Sequence, residues 1–184
     1  MDIFVSFHEV ASTAPIQLPS IVASGGDAII ETRTVMSQEH DIKVLNGLIE
    51  TTIDSAEGYD EAAKDSQGAQ FTGTFQSRAG ERRQVARSLQ QAVSSLGGKA
   101  DTDGSMLASA HRAFLSLRNS LSKGDTAVVD EVERGEDHIK HKFEDALKDA
   151  ELTAPTRALI EKAYVSVKAG HDQMRDLKHS IHRS

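Results

Sequence analysis

The sequence predicts an all-α fold, a four-helix bundle that occupies residues 36–184. From residue 36 onward, apolar residues recur at the three- and four-residue spacing of amphipathic helices. The chain of 184 residues contains three prolines, which favours long uninterrupted helices. Aromatic residues make up 4% of the chain and Trp is absent. Leu, Val, Ile and Ala must therefore fill the core, as they do in the narrow seams of helix bundles.

Four stretches carry the helical period, and each is bounded by residues that start or stop helices. Gly97 and Gly98 are typical of a helix end, and Pro155 is typical of a first helical turn. Leu89 and Val167 occupy central heptad positions, so we predict that both lie in the core. The predicted helices cover about residues 38–65, the stretch after the turn 65–68 to about residue 96, residues 125–150 and residues 155–181.

A shorter amphipathic segment, residues 107–121, lies between helices two and three. Two tight hairpins are thus joined by a connection that can travel the length of the bundle. This order defines the ferritin-like topology, with a short helix in the long crossover between helices two and three. The segments YDEAAKD (59–65) and FEDALKD (143–149) also resemble each other, which supports a doubled hairpin.

Residues 1–35 show no helical period and mix short β-prone runs with Pro15, Pro19 and the Gly25-Gly26 pair. We expect a poorly ordered N-terminal arm or tail. Two alternatives stay open. The arm could dock a partner, or it could be an extension upstream of a natural start at Met36.

The bulk composition excludes several classes of protein. A formal net charge of −7 and a pI near 5.6 give no general attraction for nucleic acid or anionic membrane. The absence of Cys removes disulfides and thiolate chemistry, and no apolar run approaches the roughly 20 residues of a membrane span. We expect a cytoplasmic protein of bacterial type that binds neither nucleic acid nor membrane. A homo-oligomer or a protein partner stays open.

Three segments carry a family resemblance: LNGLIETTIDSAEGY in helix one, VERGEDHIKHKFEDAL in helix three and AGHDQMRDL in helix four. With them the chain resembles an uncharacterised bacterial family of four-helix-bundle proteins with a domain of unknown function, related to the ferritin-like superfamily. The resemblance covers about residues 42–177. It implies the ferritin-like fold and no activity.

A di-metal centre in such a bundle needs one Glu from each of two helices and a Glu-x-x-His motif from each of the other two. No Glu-x-x-His occurs anywhere in the chain. At the corresponding places, helix two has Arg78-x-x-Glu81 and helix four has Lys168-x-x-His171. A cation therefore stands where a metal-binding carboxylate is needed, and an active di-iron centre is not expected.

Five residues lie about ten residues, or roughly 15 Å, from the same end of the predicted bundle: Glu57, Arg78, Arg82, Glu136 and His171. A guanidinium cannot ligate a metal ion and repels one. We predict that Arg78 or Arg82 pairs with Glu57 and Glu136 in a partly buried ion-pair layer, which sets helix register more than it adds stability. The alternative is a single iron or manganese ion on Glu57, Glu136 and His171.

No residue is assigned a catalytic role, because without Cys only serine-type nucleophiles remain and none has a matched His and acid. Three hypotheses for function stay open. The first is a non-catalytic structural or interaction protein, such as a stress-associated relative that has lost metal chemistry. The second is an iron- or manganese-dependent oxidoreductase or storage protein. The third is a partner-binding module that uses residues 1–35.

Overall fold

The computed structural model describes residues 25–104 and 124–183, with side chains from residue 33 onward. Within these residues the regular structure is helical and includes no strand, which confirms the all-α class. Residues 1–24 and the short helix predicted at 107–121 lie outside the described residues. None of the described helices combines the length and the apolar character that a membrane span requires. The four helices are α1 Gly25–Asp65, α2 Ala69–Ser95, α3 Asp125–Lys148 and α4 Ala154–Ile181.

Helix α1 begins at Gly25, well before the predicted start near residue 38, so the predicted boundary between arm and bundle at residues 35 and 36 falls inside a helix. The sequence offers no proline between Pro19 and the end of α1, and no glycine between Gly26 and Gly47, to break it. Residues 33–36, the first residues of α1 whose side chains the structure describes, are exposed and so show no amphipathic period. The side chains of Val35 and Met36 are 47% and 65% exposed.

The other helix boundaries largely follow the predicted signals. Gly97 adopts a positive φ of 78°, and the N–H of Gly98 donates to the carbonyl oxygen of Val93 at 2.9 Å, a typical glycine-terminated helix end. Pro155 lies in the first turn of α4, as predicted. Helix α3 ends at Lys148, slightly before the predicted limit at residue 150, because Asp149 takes an extended backbone conformation.

The buried apolar residues form two clusters along the bundle. Leu89 and Val167 have no exposed surface, which confirms their predicted place in the core. The larger cluster fills the end where α1 meets the α3–α4 turn, and its most buried members are Leu45, Ile49, Leu89, Val93, Ile139, Phe143, Ile160 and Val167. The smaller cluster fills the end near the α1–α2 turn and contains Tyr59, Ala62, Phe75, Ala79, Val128, Val129 and Met174.

Contacts between the two hairpins show the direction of each helix. His40 near the beginning of the packed part of α1 contacts Asp149 after α3, at 2.8 Å between Nε2 and Oδ2. At the other end, Asp125 at the start of α3 accepts a hydrogen bond from the N–H of Gln67, which follows α1. Helices α1 and α3 are therefore antiparallel neighbours, and α2 and α4 are antiparallel neighbours as well. It follows that α2 and α3 run in the same direction.

The connection from α2 to α3 must therefore return along the bundle, and its first residues do so beside α1. Gly98 lies against Ile42, the N–H of Asp101 donates to the side chain of Asn46 at 3.1 Å, and Gly104 lies against Asp54. The contacts advance along α1 toward its C-terminal end, where α3 begins.

Each hairpin turn is capped by a carboxylate from the other hairpin. Asp41 of α1 is fully buried and accepts hydrogen bonds from the backbone N–H of Thr153 at 3.1 Å and from the hydroxyl of Thr156 at 2.6 Å, at the start of α4. Asp125 of α3 accepts from the backbone N–H of Gly68 at 3.1 Å, at the start of α2. Both carboxylates thus satisfy backbone donors that a helix start leaves free.

Candidate functional site

Arg82 is a charged residue at the centre of the bundle, and its side chain has no exposed surface. Helix α2 places it between the two apolar clusters. Its guanidinium forms an ion pair with Glu136 of α3 and donates from Nε to the hydroxyl of Ser55 on α1 at 3.2 Å. It also donates to the backbone carbonyl oxygens of Ser166 and Val167 on α4, each at 3.3 Å. One side chain therefore contacts all three other helices.

Glu136 is the counter-ion of this guanidinium, and its side chain is 1% exposed. Its Oε2 accepts from Arg82, and its Oε1 accepts from the hydroxyl of Ser55 at 3.1 Å. Both carboxylate oxygens are therefore satisfied, and the pair carries no net charge into the core. A buried ion pair is tolerated only when its remaining hydrogen-bonding groups are satisfied in this way. In this arrangement Glu136 is not free to bind a metal ion or to accept a proton from a substrate.

Tyr59 forms one wall of the same layer. The guanidinium carbon of Arg82 lies 6.0 Å from the centre of the Tyr59 ring, within the range of a cation–π contact. No described residue meets the full geometry of a hydrogen bond with the buried Tyr59 hydroxyl, although the Glu136 carboxylate lies close enough to interact with it. Burial raises the pKa of this hydroxyl well above its usual value near 10, and the negative charge of Glu136 adds to the effect. The phenol is therefore held in its neutral form.

Gly170 of α4 provides the space that the ion pair needs. A Cβ atom at this position would collide with the Arg82 guanidinium and would lie 2.7 Å from Oε2 of Glu136. Real Cβ atoms essentially never approach that closely. We refer to Ser55, Tyr59, Arg82, Glu136 and Gly170 as the central layer.

The structure places Glu57 outside the central layer, on the exposed side of α1. Ser55 and Tyr59 turn toward the core, and two residues along a helix correspond to a rotation of about 200°, which carries Glu57 to the opposite side. Partial burial raises the pKa of the Glu57 carboxyl, and the neighbouring charges of Asp54 and Asp60 raise it further. The predicted pairing of Glu57 with an arginine is therefore corrected: Ser55 takes the α1 position in the layer.

Arg78 does not join the layer either. Its guanidinium donates to the side chain of Gln173 at 2.6 Å and to Glu81 at 2.7 Å, on the surface between α2 and α4. The predicted choice between the two arginines is thus resolved in favour of Arg82, which lies one helical turn further along α2. Arg82 alone of the two is within reach of Glu136.

His171 follows Gly170 in sequence but contacts a different set of residues. Its Nε2 lies 3.0 Å from Oδ1 of Asp137 on α3, and its Nδ1 lies 3.1 Å from Oδ1 of Asp172. The histidine therefore does not converge with Glu57 and Glu136, the other two candidate metal ligands. In the described part of the chain, no group of three or more His, Asp or Glu side chains is arranged to hold a metal ion.

Sequence reasoning missed two members of the central layer. Neither Tyr59 nor Ser55 was predicted to take part in the ion-pair layer. Ser55 lies four residues before Tyr59, on the same helical face, and this spacing is the one signal in the sequence that points to it.

Residues 40–149 match the model of a protein family described as "Domain of unknown function (DUF2383)". The match confirms the expected resemblance to a family with a domain of unknown function. It contains most of α1 and all of α2 and α3, and so includes Ser55, Tyr59, Arg82 and Glu136, whereas Gly170 lies beyond it. A search of curated proteins finds no match.

The close approach at Gly170 predicts opposite effects for two glycine substitutions. Gly170→Ala should lower the free energy of unfolding by about 1–3 kcal/mol, because the new methyl group overpacks the ion pair. Gly135→Ala is the matched control, since nothing lies within 4 Å of its Cβ position, and it should stabilise α3 by about 0.5–1 kcal/mol. Denaturant unfolding of both variants measures the difference. Equal effects would mean that Gly170 does not contact the pair.

The two tyrosines of the chain predict a distinctive alkaline titration. The folded pKa of Tyr59 is raised, so the unfolded chain loses this proton first and stability falls as the pH rises above about 10. Desolvation and the hydrogen bond to Glu144 raise the pKa of Tyr164 to about 12. In Tyr59→Phe, the ultraviolet absorbance of ionised tyrosine should therefore show one transition near pH 12, which reports Tyr164. Tyr164→Phe, which retains Tyr59, should ionise only as the chain unfolds. Ionisation of folded Tyr164→Phe near pH 10 would contradict the buried position of Tyr59.

Proposed function

We propose that this chain, which belongs to the DUF2383 family, is a non-catalytic structural protein of the ferritin-like type. In this proposal a buried ion pair occupies the level of the bundle at which metal-binding relatives of that type hold their metal. The observation that carries the proposal is the full burial of Arg82 against Glu136. A guanidinium stays protonated in proteins and donates only, so it excludes a metal cation from the place that it fills.

The arrangement of the helices supports the ferritin-like part of the proposal. Neighbouring helices are antiparallel, α2 and α3 run in the same direction, and the connection leaves α2 along the side of α1. A four-helix bundle with one long crossover between its second and third helices has this pattern. A simple up-and-down bundle would have all its consecutive helices antiparallel.

The state of the candidate ligands supports the non-catalytic part. Of the three residues considered for a single iron or manganese ion, Glu57 is exposed, Glu136 is paired with Arg82, and His171 contacts Asp137 and Asp172. Lys168, which stands where a metal-binding carboxylate is needed on helix four, forms an ion pair with Asp172 on the surface. To bind a metal ion, Glu136 would have to release Arg82 and leave a buried charge uncompensated.

The proposal predicts that loss of the pair harms folding and not metal content. Protein purified from cells supplemented with iron and manganese should contain well under one equivalent of either metal by elemental analysis. Glu136→Ala should lower the free energy of unfolding by about 3–5 kcal/mol, because it leaves a buried guanidinium without a counter-ion. Glu57→Ala is the control: its carboxylate is exposed, so both stability and metal content should match the parent.

Two other outcomes would support the competing hypotheses. Close to two bound metal ions, lost in a Glu136→Ala variant that still folds, would indicate a di-metal oxidoreductase or storage protein. Close to one equivalent, lost in both His171→Ala and Glu136→Ala, would indicate a mononuclear site.

A further inference from the structure

The α1–α2 hairpin and the α3–α4 hairpin share one plan. Without gaps, the alignment of Tyr59 with Phe143 places Asp41 opposite Asp125, and Val44 opposite Val128 is the one identity between these two pairs. Tyr59 and Phe143 are both buried, and the two aspartates do the same work, because each accepts a hydrogen bond from the residue that precedes a helix of the opposite hairpin. The two hairpins therefore cap each other in equivalent ways at the two ends of the bundle.

The ion pair breaks this relation. The same alignment places Glu136 of α3 at the position of Thr52 in α1. Aligning the first residues of α2 and α4 places Val167 at the position of Arg82. All four side chains are fully or almost fully buried, but only one of each matched pair is charged. The same alignments place Ile139 at the position of Ser55 and Val85 at the position of Gly170, so a buried charge of opposite sign is one of the differences between the two surfaces.

This difference decides which hairpins can pair. Suppose that the α1–α2 hairpins of two copies of the chain paired with each other. The Arg82 of one copy would then take the position that Val167 now holds, and it would lie opposite the Arg82 of the other copy. Arg82 Nη2 lies 3.3 Å from the carbonyl oxygen of Val167, so the two guanidiniums would meet in the core with Thr52 in place of a carboxylate. Two α3–α4 hairpins would likewise bury two Glu136 carboxylates with no guanidinium. Burial of unpaired charges is strongly unfavourable.

We propose that the Arg82–Glu136 pair is the specificity determinant of hairpin pairing. Because of this pair, an α1–α2 hairpin packs against an α3–α4 hairpin and not against the α1–α2 hairpin of a second copy of this chain. The aspartate caps cannot make this choice, because Asp41 and Asp125 are equivalent and every pairing would supply both caps. Single buried polar groups fix partner and register in coiled coils by the same physical effect. The proposal goes beyond the absence of metal chemistry and does not depend on it.

The test removes the charges and gives the two charged positions the residues of their counterparts. In the full-length chain, Arg82→Val combined with Glu136→Thr gives each position the residue of its counterpart. This double variant should remain helical and unfold cooperatively, and its average mass by light scattering should rise above that of the parent, toward twice its value, as its concentration increases. Arg82→Lys retains a cation opposite Glu136 and serves as the control, with the mass of the parent.

Two results would overturn the proposal. One is a folded double variant whose mass equals that of the parent at every concentration. The other is loss of cooperative unfolding both in this variant and in Arg82→Met combined with Glu136→Leu, which keeps more of the volume of the pair. In that case the pair would be required for folding itself and would not act as a selector between partners.

Discussion

The structure depends on a single buried cation. Arg82 has five donor hydrogens in a fixed planar geometry, and the interior must supply acceptors for them because no water reaches the side chain. It finds a carboxylate on α3, a hydroxyl on α1 and two backbone carbonyls on α4. These acceptors lie on three different helices. The hydrogen bonds therefore restrict the positions of these three helices relative to α2. Apolar contacts have no direction and would not impose this restriction alone.

The same constraint explains two details that are otherwise unrelated. Gly170 lacks a side chain at the point where α4 approaches the guanidinium and the carboxylate together. Tyr59 presents its ring to the cation, and no described residue meets the full geometry of a hydrogen bond with its hydroxyl. A buried hydroxyl without a hydrogen bond of full geometry costs free energy, which the nearby Glu136 carboxylate offsets in part. The retention of Tyr59 beside Arg82 is consistent with the contribution that the ring makes to the cation.

Sequence reasoning succeeded where one period or one residue type decides the structure. The heptad period placed Leu89 and Val167 in the core, and backbone chemistry alone was enough to place Gly97–Gly98 and Pro155 at helix boundaries. It failed at the start of α1, where the exposed residues 33–36 contribute no amphipathic pattern to the sequence.

In the central layer, sequence reasoning gave the depth of the residues along the bundle but not their side of the helix. Counting residues from the bundle end found both Arg82 and Glu136. It also found Glu57, which lies at the right depth and on the wrong side of α1. The choice between Ser55 and Glu57 depends on the rotation of α1 about its axis. That rotation is set by packing in three dimensions, and depth along the chain carries no information about it.

The most direct test of the account is the coupling free energy between Arg82 and Glu136 in a double-mutant cycle. Arg82→Met and Glu136→Leu, alone and together, would be compared with the parent by denaturant unfolding, because these substitutions remove the charges and keep much of the side-chain volume. The account predicts that the double variant loses much less stability than the sum of the losses in the two single variants. The difference, which is the coupling free energy, should be about 2–3 kcal/mol. Additive losses, with a coupling near zero, would show that the two charges do not compensate each other in the core and would contradict the account.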